Sequence, residues 1–159
     1  MAKHDIKERS YDVENARFAL VVSRFNAEVV SRLEQAALET LKRHGVLGDN
    51  ITVVSVPGAF EIPLMAKRLA SGGSFDAVIT LGAVVRGGTP HFDYVAGECA
   101  RGVAEVARET GVPVIFGVLT TDDMTQALER AGGAEGNKGS ESAVAAMDMV
   151  TTLRGFAGQ

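Results

Sequence analysis

His91 stands three positions beyond the Gly87-Gly88 pair and directly after Thr89-Pro90, a spacing that places an imidazole in the first turn of a helix entered through a glycine turn. The first N–H groups of such a helix have no intrahelical acceptor, glycine lets the backbone approach an anion closely, and proline lacks only an N–H that the helix would not use. The segment therefore reads either as a phosphate cradle or as an ordinary helix start capped by Thr89. The positive end of the helix dipole disfavours imidazolium, which suits a ring that accepts and returns protons near neutral pH. His4 falls in an N-terminal arm and His44 at a helix C-terminus, where its charge complements the dipole, so neither attracts a role.

Other side chains could complete a site around His91. Phe25 directly follows an apolar run and could stack on a planar heterocycle, while Glu61 could accept hydrogen bonds from sugar-like hydroxyls. Their plainer readings are a core phenylalanine and a helix-start carboxylate. Arg130 and Lys138 flank a late glycine-rich stretch, where an Arg could grip phosphate through paired N–H donors; the plainer reading is two solvated charges. Cys99, the single cysteine, shares the apolar face of a helix and reads as a small buried hydrophobe.

Several chemistries lose their support. Three scattered histidines, one cysteine and no His-Glu-x-x-His pattern predict no metal site. Gly136-Asn137-Lys138-Gly139-Ser140 has only the outline of a P-loop, because Asn137 stands where the Gly before Lys belongs and the segment follows a helix. No Gly-x-Gly-x-x-Gly follows the first strand and no Gly-x-Ser-x-Gly occurs, which removes the dinucleotide and serine-hydrolase readings.

Four apolar runs must carry these residues: Arg17 to Ser23, Ile51 to Val56, Phe75 to Leu81 and Pro113 to Leu119. Each is short and nearly continuous, as a parallel strand covered on both faces should be. Helical periods separate them. Ala27 to His44 carries Val30, Leu33, Ala37 and Leu41 on one face, with Asn26 as N-cap and Gly45 as the stop; a shorter helix begins at Pro63 and ends at Ser71-Gly72-Gly73-Ser74. A third, from Thr89-Pro90-His91 to Gly111, aligns Phe92, Val95, Cys99, Val103 and Val106. Asp123 to Ala131, a glycine-rich break and a helix from about Ser140 to Arg154 complete the chain. Ligands in open α/β sheets bind beyond the carboxyl ends of the strands, so functional residues should follow each strand.

Composition agrees with one such domain. The 159 residues are 46% hydrophobic and 6% aromatic, with 18 glycines and no Trp, a balance that favours Val/Ala/Leu layers and tight turns. A net charge of −4 and no basic run predict no nucleic-acid partner. No apolar stretch reads as a secretory signal or a bilayer span, and one cysteine excludes an internal disulfide, so no membrane partner and a cytoplasmic location are expected.

In order along the chain, Ser23-Arg24-Phe25-Asn26, Pro57-Gly58-Ala59-Phe60-Glu61-Ile62-Pro63, Gly82 to Tyr94, Phe116 to Thr121 and Asn137-Lys138-Gly139 resemble the signature blocks of lumazine synthases. The Gly-Thr-Pro-His-Phe-Asp-Tyr run combined with Pro-Gly-Ala-Phe-Glu-Ile-Pro carries most of that specificity. The resemblance implies condensation of 5-amino-6-(D-ribitylamino)uracil with 3,4-dihydroxy-2-butanone 4-phosphate to 6,7-dimethyl-8-ribityllumazine, the penultimate step of riboflavin biosynthesis, with no cofactor. It assigns His91 as proton shuttle and Phe25 to stacking on the pyrimidine. Ala59, Phe60, Glu61, Ala83, Val84 and Val85 would hold the ribitylaminouracil, with Phe116 entering from a neighbouring subunit. Gly88, Thr89 and Arg130 would hold the phosphate; Lys138, which borders that region, would also bind the ribitylaminouracil, with Glu141 in support. Gly88 departs from the pattern, since many members carry Glu or Gln there, so only a backbone contact survives at this position.

The implied fold is a three-layer α/β/α sandwich with a four-stranded parallel sheet in the flavodoxin-like order 2-1-3-4, over residues 17–159, preceded by an arm over 1–16. Asp12 to Arg17 would extend a neighbour's sheet. The implied assembly is a homopentamer, in some members packed into a sixty-subunit icosahedral shell, with riboflavin synthase as an associated partner. A non-catalytic flavin- or lumazine-binding protein and a shell-forming protein share this fold; His91 beside a phosphate site favours turnover.

Overall fold

A computed structural model describes residues 9–157. Four strands, β1 (Phe18–Ser23), β2 (Ile51–Val56), β3 (Ala77–Val85) and β4 (Val114–Thr121), form one parallel sheet in the order β2-β1-β3-β4. The expected topology is the observed one. Alternation along β1 splits the core: Phe18, Leu20 and Val22 face the layer of α1 (Ala27–Arg43) and α5 (Lys138–Gly155), and Ala19 and Val21 face α2 (Ile62–Ser71) and α3 (His91–Thr110). Between β4 and α5 lie α4 (Met124–Glu129) and a small antiparallel pair, β5 (Ala131–Gly133) and β6 (Gly136–Asn137).

The helices end where their residues dictate. Gly45 takes φ +92 just past α1, Gly111 takes φ +70 after α3, and Pro63 lies in the first turn of α2. Asp123 caps α4 by accepting from Gln126 N at 2.8 Å, and Asn137 caps α5 by accepting from Gly139 N at 2.8 Å and Ser140 N at 3.3 Å. The residue that spoiled the P-loop reading is thus the one that starts α5. Helix α5 meets α1 so closely that a Cβ on Gly139 would stand 1.9 Å from the Leu33 carbonyl oxygen.

Three expectations need correction. The strand expected to end at Leu81 runs on to Val85, because β4 pairs with it as far as Val85↔Thr121. The second run is not covered on both faces: β2 lies at the sheet edge, and Thr52, Val53 and Ser55 are exposed. Asn26 occupies the expected N-cap position of α1, but in the left-handed conformation, with φ 59, and its side chain makes no cap; its amide Nδ2 donates instead to the Ala83 carbonyl at 2.8 Å. Asn tolerates this conformation better than most residues, which frees its side chain to bond across the sheet.

The stretch 9–16 folds back on its own chain. Val13 and Ala16 are buried in the α1/α5 core, Asp12 N donates to Thr151 Oγ1 at 2.9 Å, and Arg154 donates to the Asp12 carboxylate at 3.0 Å. Residues 12–17, expected as a strand for a neighbour's sheet, form no strand here, and residues 1–8 of the expected arm lie outside the described residues.

Candidate active site

The register builds a step at the carboxyl end of the sheet. Val22 pairs with Leu81, so β1 ends level with Gly82, while β3 and β4 continue together for three more residues, Ala83 to Val85. At about 3.3 Å per residue this raises a wall of ~10 Å beside the β1/β3 switch point. Beyond Leu81 the β1-facing edge of β3 pairs with no strand among the described residues. Asn26 Nδ2 donates to it there, at the Ala83 carbonyl, 2.8 Å away.

Chain segments after β1 and β2 form the floor before that wall. Arg24 N donates to the Val56 carbonyl at 2.8 Å and Phe25 N to the Pro57 carbonyl at 3.1 Å, which holds the two strand ends together. Phe25 is 71% exposed and Phe60 57%, so neither ring is a core residue and both can meet a planar ligand. Ala59, Phe60 and Glu61 form a 3-10 turn packed against α3, with Ala59 buried and Glu61 exposed immediately before α2.

Past the top of the wall, residues 86–90 lead into α3. His91 is its first residue, exposed, and its ring makes no hydrogen bond among the described residues. Pro90, not Thr89, occupies the N-cap position, and no side chain caps the helix, so the expected Thr89 cap is absent and the Thr89 hydroxyl is not committed to one. A Cβ on Gly87 or Gly88 would meet nothing within 4 Å. Glycine there leaves the turn open toward solvent rather than relieving a steric clash.

A second set of expected residues is joined mainly to itself. Arg130 donates to the Gln126 carbonyl at 3.1 Å and sits 3.7 Å from Glu129; Lys138 begins α5, 3.8 Å from Glu141. Lys138 N donates to the Arg130 carbonyl at 2.9 Å, which joins these residues to each other. Among the described residues no hydrogen bond or ion pair joins them to Phe25, Glu61, Thr89 or His91. Phe116, half-buried, pairs with Thr80 in mid-sheet, five residues before the end of β4 at Thr121, and so does not reach its own chain's rim.

The model of the 6,7-dimethyl-8-ribityllumazine synthase family matches residues 15–154. The chain belongs to that family. Its match takes in the whole sheet and every expected site residue, and places the chain among the lumazine synthases of riboflavin biosynthesis. No helix among the described residues is long and apolar enough to cross a membrane, and no group of three or more His, Cys, Asp or Glu among them could hold a metal ion.

Within this lumazine synthase fold two residues near the rim escaped sequence reasoning. Arg86, at the top of the wall, lies with Nε 3.2 Å from Asp122 Oδ1 and Nη1 3.4 Å from Asp93 Oδ1, its guanidinium carbon 4.3 Å above the Phe92 ring. Its charge was visible in the sequence, but Asp122 is too distant along the chain for spacing to pair them. Ser23, the last residue of β1, is 2% exposed and its Oγ has no hydrogen-bond partner among the described residues. Cys99 is fully buried on α3, and burial pushes its thiol pKa up to about 12, as befits a packing residue.

Proposed function

We propose that this chain condenses 5-amino-6-(D-ribitylamino)uracil with 3,4-dihydroxy-2-butanone 4-phosphate to give 6,7-dimethyl-8-ribityllumazine, phosphate and water. The observation that carries this reading is His91 at the head of α3, directly after an open glycine turn, on the rim that also presents Phe25 and Phe60. The family match supports it.

The pyrimidine lies on the floor before the wall, stacked on Phe25, with its polar edge toward backbone groups of Ala83 to Val85 that pair with no strand on that side. Glu61 and the Ala59-Phe60 turn take the ribityl hydroxyls. The phosphate of the second substrate meets the first-turn N–H groups of α3 with Gly88 and the Thr89 hydroxyl.

Both reacting groups come from the substrates, an amine and a ketone, so no external cofactor is needed. His91 takes the proton released as the amine adds to the carbonyl and returns it to the departing hydroxyl, which forms the imine. It then removes the carbon-bound proton as phosphate leaves. The resulting enol takes up a proton at its methylene carbon to become a methyl ketone, and the ribitylamino nitrogen closes the ring on that carbonyl with loss of water. The helix dipole and N–H groups favour the departing phosphate, and the fixed placement of both substrates lowers the remaining barrier.

Arg130, Lys138, Glu141 and Phe116 act from a neighbouring subunit. That no hydrogen bond or ion pair joins them to His91 among the described residues, and that Phe116 sits in mid-sheet, supports a site shared between copies in a homopentamer.

The test compares lumazine formation from the two substrates with the spontaneous reaction in buffer. A protein-dependent rate far above background is expected. Equal rates overturn the reading and leave a binding or shell-forming protein.

A further inference from the structure

Arg86 holds both ends of the loop that delivers His91. At the near end its backbone N donates to the Thr121 carbonyl at 2.8 Å, closing the β3–β4 ladder. At the far end its guanidinium spans Asp93, in the first turn of α3, and stacks over Phe92, the residue after His91. The same guanidinium meets Asp122, which directly follows β4. Between these points lie Gly87 and Gly88, whose Cβ positions touch nothing within 4 Å, so the loop's own residues give it little rigidity. Planar, forked donors can face two carboxylates and a ring at once; a lysine ammonium cannot reproduce that arrangement.

We propose that Arg86 is a positioning residue for His91, a staple that fixes the first turn of α3 against the ends of β3 and β4 and so sets where the imidazole meets the reacting carbons. The proposal rests on the proton-transfer role given to His91 above. Arg86 itself touches no reacting atom. Its carboxylate partners and the Phe92 ring already occupy the guanidinium, which distinguishes it from a cation held open for phosphate.

The test measures kcat, both KM values and thermal unfolding for the full-length, assembled protein and for Arg86→Met, Arg86→Lys and Asp122→Asn. Arg86→Met keeps the apolar stem over Phe92 and removes the fork. It is expected to lower kcat by roughly tenfold to 100-fold, as a displacement of about 1 Å at a catalytic group does. The KM for ribitylaminouracil should stay within about twofold and the unfolding midpoint should change little, since surface ion pairs contribute little stability. Arg86→Lys should recover only part of the rate. In a His91→Ala background Arg86→Met should cost almost nothing further, because the two residues act as one unit.

A normal kcat in Arg86→Met, or an undiminished effect in the His91→Ala background, overturns the staple. So does a raised KM for the phosphate substrate at unchanged kcat, which would make Arg86 a direct phosphate ligand. Should Arg86→Met fail to fold, Asp122→Asn decides by the same measures. If the parent protein forms no lumazine above background, the proposed function fails first, and that result is distinct from a failure of the staple.

Discussion

Ser23 and Gly82 lie side by side at the end of β1 and in β3, so close that a Cβ on Gly82 would stand 2.8 Å from the Ser23 hydroxyl oxygen. That hydroxyl is buried and bonded to nothing among the described residues. An unsatisfied buried hydroxyl costs about 1–3 kcal/mol, so Ser23→Ala is expected to raise stability by ~1 kcal/mol. Gly82→Ala should destabilise by about 1–3 kcal/mol through overpacking. The double variant should be more stable than the sum of the two, because removing Oγ clears space for the new methyl. Denaturant midpoints of the three variants check this, and strict additivity would reject the contact.

Asn26 joins two roles in one residue, a left-handed backbone at φ 59 and a bond to the Ala83 carbonyl. Asn26→Gly should lose only the bond, about 1 kcal/mol, whereas Asn26→Ala loses the bond and adds roughly 1–2 kcal/mol of backbone strain. The order of urea midpoints should therefore be parent, then Gly, then Ala. Equal midpoints for Gly and Ala would show that the backbone conformation carries no cost.

Cys99 gives a pH dependence with a definite sign. Its thiol titrates at about 12 in the folded chain against 9.0 for the ordinary thiol, so the unfolded chain loses that proton first. The associated stability is fully present below pH 9.0 and falls as pH rises toward 12, by up to about 1.4 kcal/mol per pH unit. Cys99→Ala should flatten that alkaline decline while lowering stability at neutral pH through lost packing. In the folded protein at pH 8 a thiol-alkylating reagent should leave Cys99 intact and label it only in denaturant. Rapid labelling without denaturant would contradict the burial.

The two halves of the proposed site should separate kinetically. His91→Ala is expected to lower kcat by roughly 100-fold with modest change in either KM, as loss of a general acid–base group does. Arg130→Ala should raise the KM for the butanone phosphate about tenfold or more, through loss of a charge-assisted contact, and leave ribitylaminouracil use unchanged. Steady-state kinetics against each substrate decide it. A normal KM for the phosphate substrate in Arg130→Ala would reject the clamp.

The fold was largely legible because its signals are local. Runs such as Phe18 to Ser23, the Val30-Leu33-Ala37-Leu41 stripe and the stops at Gly45 and Gly111 announce themselves within a few residues. The errors sit where pairing across the chain decides. Nothing near Ala83-Val84-Val85 says that β4 continues alongside them, and nothing near Asn26 says that a carbonyl 57 residues away will claim its amide. The exposure of β2 was hidden for the same reason, since a β-branched run reads alike at the centre and the edge of a sheet. For the site, the glycine turn and His91 were visible as a motif, but Arg86 was not. Its partners Asp93 and Asp122 approach only once β3, β4 and the start of α3 are packed.

That edge has a cost for a chain that stands alone. Among the described residues β2 pairs on one side only, with β1, and its outer row of backbone donors and acceptors, with Val53 half in water, is open to a passing strand. A lone chain therefore carries an adhesive border, and if copies assemble as proposed above, the race between that assembly and indiscriminate strand addition depends on how fast they meet. Oligomerisation in this chain would then guard solubility as well as furnish missing side chains.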